Sequence, residues 1–188
     1  MHDLLNGLLA RLVALAPPEH ARITSLVRRT CATTLSLPPL PTEIEVDGPA
    51  DEAESVAVGF AEQFSADVSA ISDDLRGRFT SALGRAVLPA VMLTYFADYL
   101  PRVRSGFNML GLPAPWDDAI AWDHDSDLGD VLFNTFQPAV ARLRELGPLT
   151  TEIVRLRGAT QHNCRLCKSR RPEPSSLLSA HVPEGWTA

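Results

Sequence analysis

Two cysteines, Cys164 and Cys167, form a CxxC motif. They are the strongest candidates in this sequence for redox or metal-binding residues. They follow a helical pattern that runs from about Leu149 to Gln161 and carries one acidic residue, Glu152. Two thiols at this spacing can close a disulfide, bind a metal ion or do neither. Because structural disulfides rarely persist in the cytosol, a cytoplasmic location would favour a redox or metal pair.

A break in the helix between Glu152 and the cysteines is expected at residues 161–163, because Gln-His-Asn is a poor helical sequence. On one straight helix Glu152 and Cys164 would lie roughly 18 Å apart, at about 1.5 Å per residue. A chain reversal would bring them closer and place Cys164 at the N-terminus of a new helix, whose dipole favours a thiolate. Four basic residues favour the thiolate further: Arg165, Lys168, Arg170 and Arg171.

A structural zinc site is the main alternative for the cysteine pair. Its ligands would be His162, Cys164, Cys167 and His181, although no second CxxC supports it. The third alternative is that the cysteines are inert core residues. Cys31 lies among apolar residues and is predicted to be a core residue.

Other polar residues have simpler structural interpretations. His2, His20 and His124 are expected to be solvated. The acidic run over residues 117–127 lacks the glycine and glutamate spacing of a calcium loop, so we interpret it as a polar linker and helix N-cap region. Glu152 also suits the first turn of its helix, where a carboxylate interacts favourably with the dipole.

Composition narrows the class of protein. The chain has 188 residues, 45% of them hydrophobic, and a net charge of −6, which argues against a surface made for nucleic acid. The apolar stretch at residues 86–100 is interrupted by Pro89 and Asp98 and is shorter than the roughly 20 residues that span a bilayer. The N-terminus lacks a basic leader. We therefore expect a soluble cytoplasmic bacterial protein that binds neither membranes nor nucleic acid.

Helical periodicity dominates the sequence and predicts an all-α fold in one domain over residues 1–188. We divide it into a helical pair with a proline-rich linker (1–50), a main core with the CxxC (51–171) and a loose tail (172–188). The helices are predicted at about residues 4–15, 18–35, 51–64, 73–83, 87–103, 127–146 and 149–161. Residues 25–33 also overlay on 152–160 without a gap, which would fit a degenerate duplicated helical unit or a chance match.

The segment around residues 148–171 resembles the alkyl hydroperoxidase D and carboxymuconolactone decarboxylase family. The resemblance rests on Glu152, eleven intervening residues, Cys164, two residues and Cys167, within a helix that reads IVRLRGA. It implies an all-helical homo-oligomer, a trimer or a multiple, that reduces hydroperoxides as an antioxidant. By the same resemblance Cys167 is the peroxidatic cysteine, Cys164 resolves it as a disulfide and Glu152 takes part in proton transfer.

One position departs from the family pattern. The family's relay histidine falls four residues after the second cysteine, where this chain has Arg171. His162 is the candidate substitute, and Arg171 is a candidate for stabilising a thiolate by its charge. The resemblance implies no bound cofactor, and it implies a protein electron donor that carries a thiol or lipoyl group. A non-catalytic helical assembly or binding protein with the same fold is the alternative function.

Overall fold

The computed structural model describes residues 2–117, 119–141 and 147–161. The chain forms two compact units, residues 1–141 and 142–188. The described residues of both units are mainly helical and contain no strand, so the all-α prediction is confirmed. The single domain over residues 1–188 and the helical duplication stay predictions.

Six α-helices lie in the described part of the first unit, and one lies in the described part of the second. Three short 3-10 turns, at Pro18–His20, Val68–Ala70 and Gly84–Ala86, and one π-helix, Asp130–Phe136, complete the helical structure. The helices are α1 His2–Ala14, α2 Ala21–Leu35, α3 Glu52–Asp67, α4 Asp73–Leu83, α5 Val87–Met109, α6 Gln137–Ala141 and α7 Pro148–Gln161.

Local capping chemistry sets the ends of several helices. The Asp51 side chain accepts a hydrogen bond from the backbone N–H of Glu54 at 2.8 Å, which fixes the start of α3. Ser72 does the same for Leu75 at the start of α4. At the end of α2, Ser36 adopts a left-handed conformation with φ 54°, and the next N–H, that of Leu37, returns to the Ala32 carbonyl. This is a Schellman motif, which satisfies carbonyls that the helix leaves unpaired.

The larger core cluster joins the N-terminal helix to α5 and the π-helix. Leu9, Leu12 and Val13 of α1 are buried together with Phe96 and Leu100 of α5. Leu4 of the same helix is 63% exposed, because it lies in the first turn, beyond the packed part of the helix. The N-terminal helical pair is therefore part of the same core as the helices that follow the proline-rich segment.

A second core cluster lies between α3, α4 and the start of α5. Its members include Val56, Phe60, Phe79, Leu83 and Ala90. The rings of Phe60 and Phe79 stack with 4.1 Å between their centroids. This stacking adds to the apolar area that α3 and α4 bury against each other.

Helix α5 is longer than predicted. It extends to Met109 rather than residue 103 and contains Pro101, which is buried in its interior. Pro89 lies in the first turn, as predicted, where a missing N–H costs no hydrogen bond. α2 is shorter than predicted, because a 3-10 turn at Pro18–His20 precedes it.

One helical stretch, Asp73–Met109, is long and apolar enough to cross a membrane by length and composition. The stretch includes Gly84, at φ 52°, where α4 ends. Phe96 and Leu100 of the same stretch lie in the core of the first unit. Because a core helix and a membrane span share this length and composition, the cytoplasmic location stays a prediction.

The predicted helix at residues 127–146 starts with Leu128 and Gly129 and continues as the π-helix Asp130–Phe136. Asp127 accepts a hydrogen bond from the Asp130 N–H at 2.8 Å and so caps it, and α6 follows directly as far as Ala141. The remaining predicted residues, 142–146, lie outside the described ranges. The irregular segment before it, residues 112–117 and 119–127, pairs with the end of α1 through hydrogen bonds that link Asp123 with Ala14 and Ala16, each 2.9 Å long.

Replacement of Phe79 by alanine tests the second core cluster. Phe79 is 2% exposed, so Phe79→Ala should lower the free energy of unfolding by about 3 to 5 kcal/mol, through lost burial and a new cavity. Chemical denaturation followed by helical circular dichroism measures this. The matched control is Phe133→Ala, at a ring that is 47% exposed, which should change the free energy by less than about 1 kcal/mol. Equal losses in the two variants would contradict the assignment.

Candidate functional site

The segment between α2 and α3, residues 36–51, has no regular secondary structure, and we call it the proline loop. It contains Pro38, Pro39, Pro41 and Pro49. Proline has no N–H to donate, and no ladder of hydrogen bonds runs along the loop. The backbone carbonyls of the loop therefore need donors from elsewhere in the chain.

Arginine side chains supply those donors. Helix α2 contributes three of them and helix α5 contributes the fourth, and each guanidinium reaches a different part of the proline loop. The hydrogen bonds run from Arg22 to the Gly48 carbonyl (3.2 Å), from Arg28 to the Pro41 carbonyl, from Arg29 to the Val46 (2.5 Å) and Asp47 (3.3 Å) carbonyls, and from Arg104 to the Pro39 carbonyl (3.3 Å). One long side chain with five N–H groups can satisfy several carbonyls at once.

Arg28 is the most deeply buried of the four, at 2% exposure. Its guanidinium also donates to the carbonyls of Val13 at 2.8 Å and Leu15 at 3.5 Å, at the end of α1. A cation is favourable there, because the last carbonyls of a helix are unpaired and carry the negative end of its dipole. Burial lowers the pKa of Arg28 to about 10, so the side chain remains protonated at neutral pH. The ring of Trp122 lies 5.9 Å from the guanidinium carbon.

An ion pair closes the other end of the proline loop. Glu54 accepts two hydrogen bonds from Arg22, at 2.7 and 3.0 Å, and a third from the Ala50 N–H at 2.7 Å. The hydrogen bonds from Arg22 lower the pKa of Glu54, and the one from Ala50 adds to the effect. Helix α3 is thereby joined to α2 across the loop.

Two grooves in the first unit are large enough for small molecules. One, of about 310 Å³, lies beside the proline loop between Arg29 and Arg104. The other, of about 430 Å³, lies between α1 and the irregular segment. Small residues of α1 and apolar residues of that segment line most of the second groove: Gly7, Ala10, Ala14, Pro115, Trp116, Ala119, Ile120 and Ala121.

The predicted thiol site lies in the second unit. Glu152 is the fifth residue of α7 and is half-buried. Cys164, Cys167 and His162 lie outside the described residues. So do Arg171, which stands where the family has a histidine, and the proposed zinc ligand His181. The juxtaposition of Glu152 with the cysteine pair therefore stays a prediction.

Cys31 is a core residue, as predicted. It is fully buried, and its Sγ atom lies 4.0 Å from the Ala61 carbonyl oxygen. Burial raises the pKa of this thiol to about 12, so it is protonated at neutral pH. Because the thiolate is the reactive form, Cys31 is a poor nucleophile in the folded protein.

The acidic run near residue 120 serves local structure, as predicted. Asp117 accepts a hydrogen bond from the Ala114 N–H, and Asp123 accepts one from the Ser126 N–H. His124 is partly exposed, and its Nε2 atom lies 2.8 Å from a carboxylate oxygen of Glu43 in the proline loop. These contacts hold the irregular segment and link it to the loop.

The chain is similar to two proteins of Mycobacterium tuberculosis, uncharacterized protein Rv2313c of strain H37Rv and uncharacterized protein MT2376 of strain CDC 1551 / Oshkosh. Each is 52% identical over 173 residues, which cover 90% of this chain and 60% of the relative. The chain thus spans about 60% of the length of these relatives. No family model matches the chain, and no solved structure matches it significantly. The resemblance to alkyl hydroperoxidase D therefore stays a prediction.

The arginines around the proline loop were not predicted from the sequence. Their signal was present, because Arg22, Arg28 and Arg29 lie on one helix directly before a segment with four prolines. Such a segment has more carbonyls than N–H groups, so nearby arginines are natural donors. Arginine is usually a surface residue, which is why burial of Arg28 was not expected.

Replacement of Arg28 by methionine tests its structural role. Methionine keeps much of the apolar stem but leaves the carbonyls of Val13 and Pro41 buried without a donor. We expect the free energy of unfolding to fall by about 3 kcal/mol or more, as measured by chemical denaturation. Arg78→Met is the control and should cost less than about 1 kcal/mol, because the Arg78 side chain is 57% exposed and its terminal nitrogen lies 3.9 Å from a carboxylate oxygen of Asp74. A similar loss in both variants would refute the role.

The ion pair between Arg22 and Glu54 should make stability depend on pH in the acid range. The pKa of Glu54 is lower in the folded state than its ordinary value of 4.5, so its contribution is present above that value. It is lost as the pH falls through the folded pKa. In Glu54→Gln the free energy of unfolding should therefore fall less steeply with acid than in the wild type. The control is Glu62→Gln, on the exposed face of α3, in which the free energy of unfolding should depend on pH as it does in the wild type. A weaker pH dependence in Glu62→Gln than in Glu54→Gln would contradict the role of the ion pair.

Proposed function

We propose that the chain is a thiol-dependent oxidoreductase in which Cys164 and Cys167 cycle between a dithiol and a disulfide. The observation that carries the proposal is the CxxC pair directly after α7, with Glu152 near the start of that helix. An acidic side chain on a helix that leads into two thiols supplies both a base and a redox pair. The proposal follows the resemblance to alkyl hydroperoxidase D.

The sequence around the pair supports thiolate formation. Four basic residues lie within seven positions of Cys164: Arg165, Lys168, Arg170 and Arg171. Positive charge stabilises a thiolate relative to a thiol. Cys31 does not compete for oxidants, since its burial keeps it protonated.

The proposed substrate is a hydroperoxide, and the cycle balances in three steps. The Cys167 thiolate, whose proton Glu152 has accepted, attacks the terminal peroxide oxygen; the O–O bond breaks, and the other oxygen leaves as an alcohol after protonation. The Cys164 thiol then attacks the resulting sulfenic acid, which forms the disulfide and releases water. A protein donor that carries a dithiol or a dihydrolipoyl group supplies two electrons and two protons to restore the pair.

His162 and Arg171 have separate roles in this proposal. His162 shuttles the proton, in place of the histidine that the family has four residues after the second cysteine. Arg171, which stands at that position, stabilises the thiolate by its charge. The proposed setting is a cytoplasmic homo-oligomer, a trimer or a multiple of one, with an antioxidant role and no bound cofactor.

Titration of thiols in the native protein tests the proposal. We expect hydrogen peroxide to remove two of the three thiols per chain and a dithiol reductant to restore them, because only the CxxC pair is reactive. Cys31→Ser is the matched control and should still lose two thiols. Cys164→Ser combined with Cys167→Ser should lose none. Two CxxC thiols that survive peroxide would refute the proposal.

Elemental analysis before oxidation separates the zinc alternative. One zinc ion per chain, with unfolding on chelation, would instead assign His162, Cys164, Cys167 and His181 as ligands of a structural site. The non-catalytic alternative is tested with the double serine variant. An unchanged oligomer and unchanged biological role in that variant would favour an assembly or binding protein over an oxidoreductase.

A further inference from the structure

The groove between Arg29 and Arg104 is lined by residues of the first unit, and the residues of the proposed thiol site belong to the second. Helix α2, the proline loop and α5 form its walls, and its volume is about 310 Å³. This is at the lower end of the range for small-molecule sites. Its lining residues are Ser25, Arg29, Pro39, Leu40, Pro41, Thr42, Glu45 and Arg104.

Backbone carbonyls accept hydrogen bonds from both guanidiniums, and a carboxylate also pairs with that of Arg104. Arg29 donates to the carbonyls of Val46 and Asp47, and these are its hydrogen-bond acceptors within the described chain. Arg104 donates to the Pro39 carbonyl, and a carboxylate oxygen of Asp117 lies 3.5 Å from its terminal nitrogen. Carbonyls orient a guanidinium but do not neutralise its charge. The Arg29 charge is therefore not paired with a carboxylate in the described chain, whereas that of Arg104 is partly offset by its ion pair with Asp117.

Positioned guanidiniums of this kind favour an oxyanion. Their planar N–H groups match the oxygens of a carboxylate or a phosphate and form charge-assisted hydrogen bonds with them. The carbonyl bonds also hold each side chain in place before a ligand arrives, which lowers the entropy that binding would otherwise cost.

The rest of the lining suits the body of such a ligand. Pro39 and Pro41 provide rigid apolar surface at one side. Ser25 and Thr42 contribute hydroxyls that make no hydrogen bond to any residue in the described ranges. Glu45, the one acidic lining residue, adds a carboxylate that would accept from a hydroxyl or ammonium group of the ligand.

We propose that this groove binds a small molecule that carries a carboxylate or phosphate group. The oxyanion lies between Arg29 and Arg104, and the body of the ligand packs on Pro39 and Pro41. Glu45 lowers affinity for anions that offer it no donor, because like charges repel across the groove. The site is independent of the cysteines, so its existence does not rest on the proposed redox function.

Calorimetric titration of the full chain, under reducing conditions, tests this site with phenyl phosphate and with benzoate as probes. We expect at least one probe to bind saturably, with affinity that falls as salt is added. Binding of phenyl phosphate alone would assign a phosphate ester, and binding of benzoate alone would assign a carboxylate. Saturation by neither probe would overturn the proposal.

Two variants with opposite expected effects locate the binding. Arg29→Gln should weaken it about tenfold or more, because a charge-assisted hydrogen bond is lost. Glu45→Gln should strengthen binding of the same probe several-fold, because a repulsive charge is removed. Glu45 is exposed and lies outside the helices, so this variant should fold normally even if Arg29→Gln disturbs the loop.

Arg78→Gln is the matched control, since it removes one arginine from the exposed face of α4 without touching the groove. It should bind the probe as the wild type does. Equal affinities of Arg29→Gln and Arg78→Gln, or weaker binding by Glu45→Gln than by the wild type, would show that the anion binds elsewhere and would overturn the proposal.

Discussion

The first unit depends on one buried interaction, the contact of the Arg28 guanidinium with backbone carbonyls from two separate parts of the chain. A helix end and a proline-rich loop both leave backbone carbonyl groups without hydrogen-bond donors. Arg28 donates hydrogen bonds to both sets of carbonyls from a single position on α2. The hydrogen bonds of the guanidinium to these carbonyls replace those it would make with water, and so they offset the cost of burying its charge.

The other arginines extend this arrangement along the loop. Arg22, Arg29 and Arg104 each donate to loop carbonyls, and Arg22 also pairs with Glu54 on the next helix. The loop is therefore ordered by side chains rather than by backbone pairing. An ordered loop with charged walls is a surface on which a ligand can be recognised, whereas the proposed thiol chemistry involves residues of the second unit. The two proposals thus concern different parts of the chain and stand or fall separately.

The helices themselves were largely predictable, because their signals are local. Asp51 and Ser72 are side-chain caps, Pro89 suits a first turn, and apolar periodicity marks the faces of α1 and α3. The non-local features were not predictable. Burial of Arg28 depends on where carbonyl groups from two distant parts of the chain lie in the fold. The residues next to Arg28 in the sequence give no sign of it. The π-helix likewise looks like ordinary helix in sequence.

The predicted thiol site shows the same division between local and non-local information. A helix around Glu152 follows from its residues and is present as α7. The approach of that carboxylate to Cys164 and Cys167 requires a chain reversal, which spacing alone permits but does not dictate. The residues of the groove, by contrast, were recognisable only after α5 had placed Arg104 opposite Arg29.

The attachment of α1 to the irregular segment has a consequence for biosynthesis. Arg11 donates to Ser126, which lies 115 positions later in the chain, and the residues that end α1 pair with Asp123. During translation the apolar face of α1 leaves the ribosome on the order of ten seconds before these partners are made, at about 5–20 residues per second. The end of α1 therefore cannot reach these hydrogen-bonding partners until the chain has been synthesised as far as Ser126.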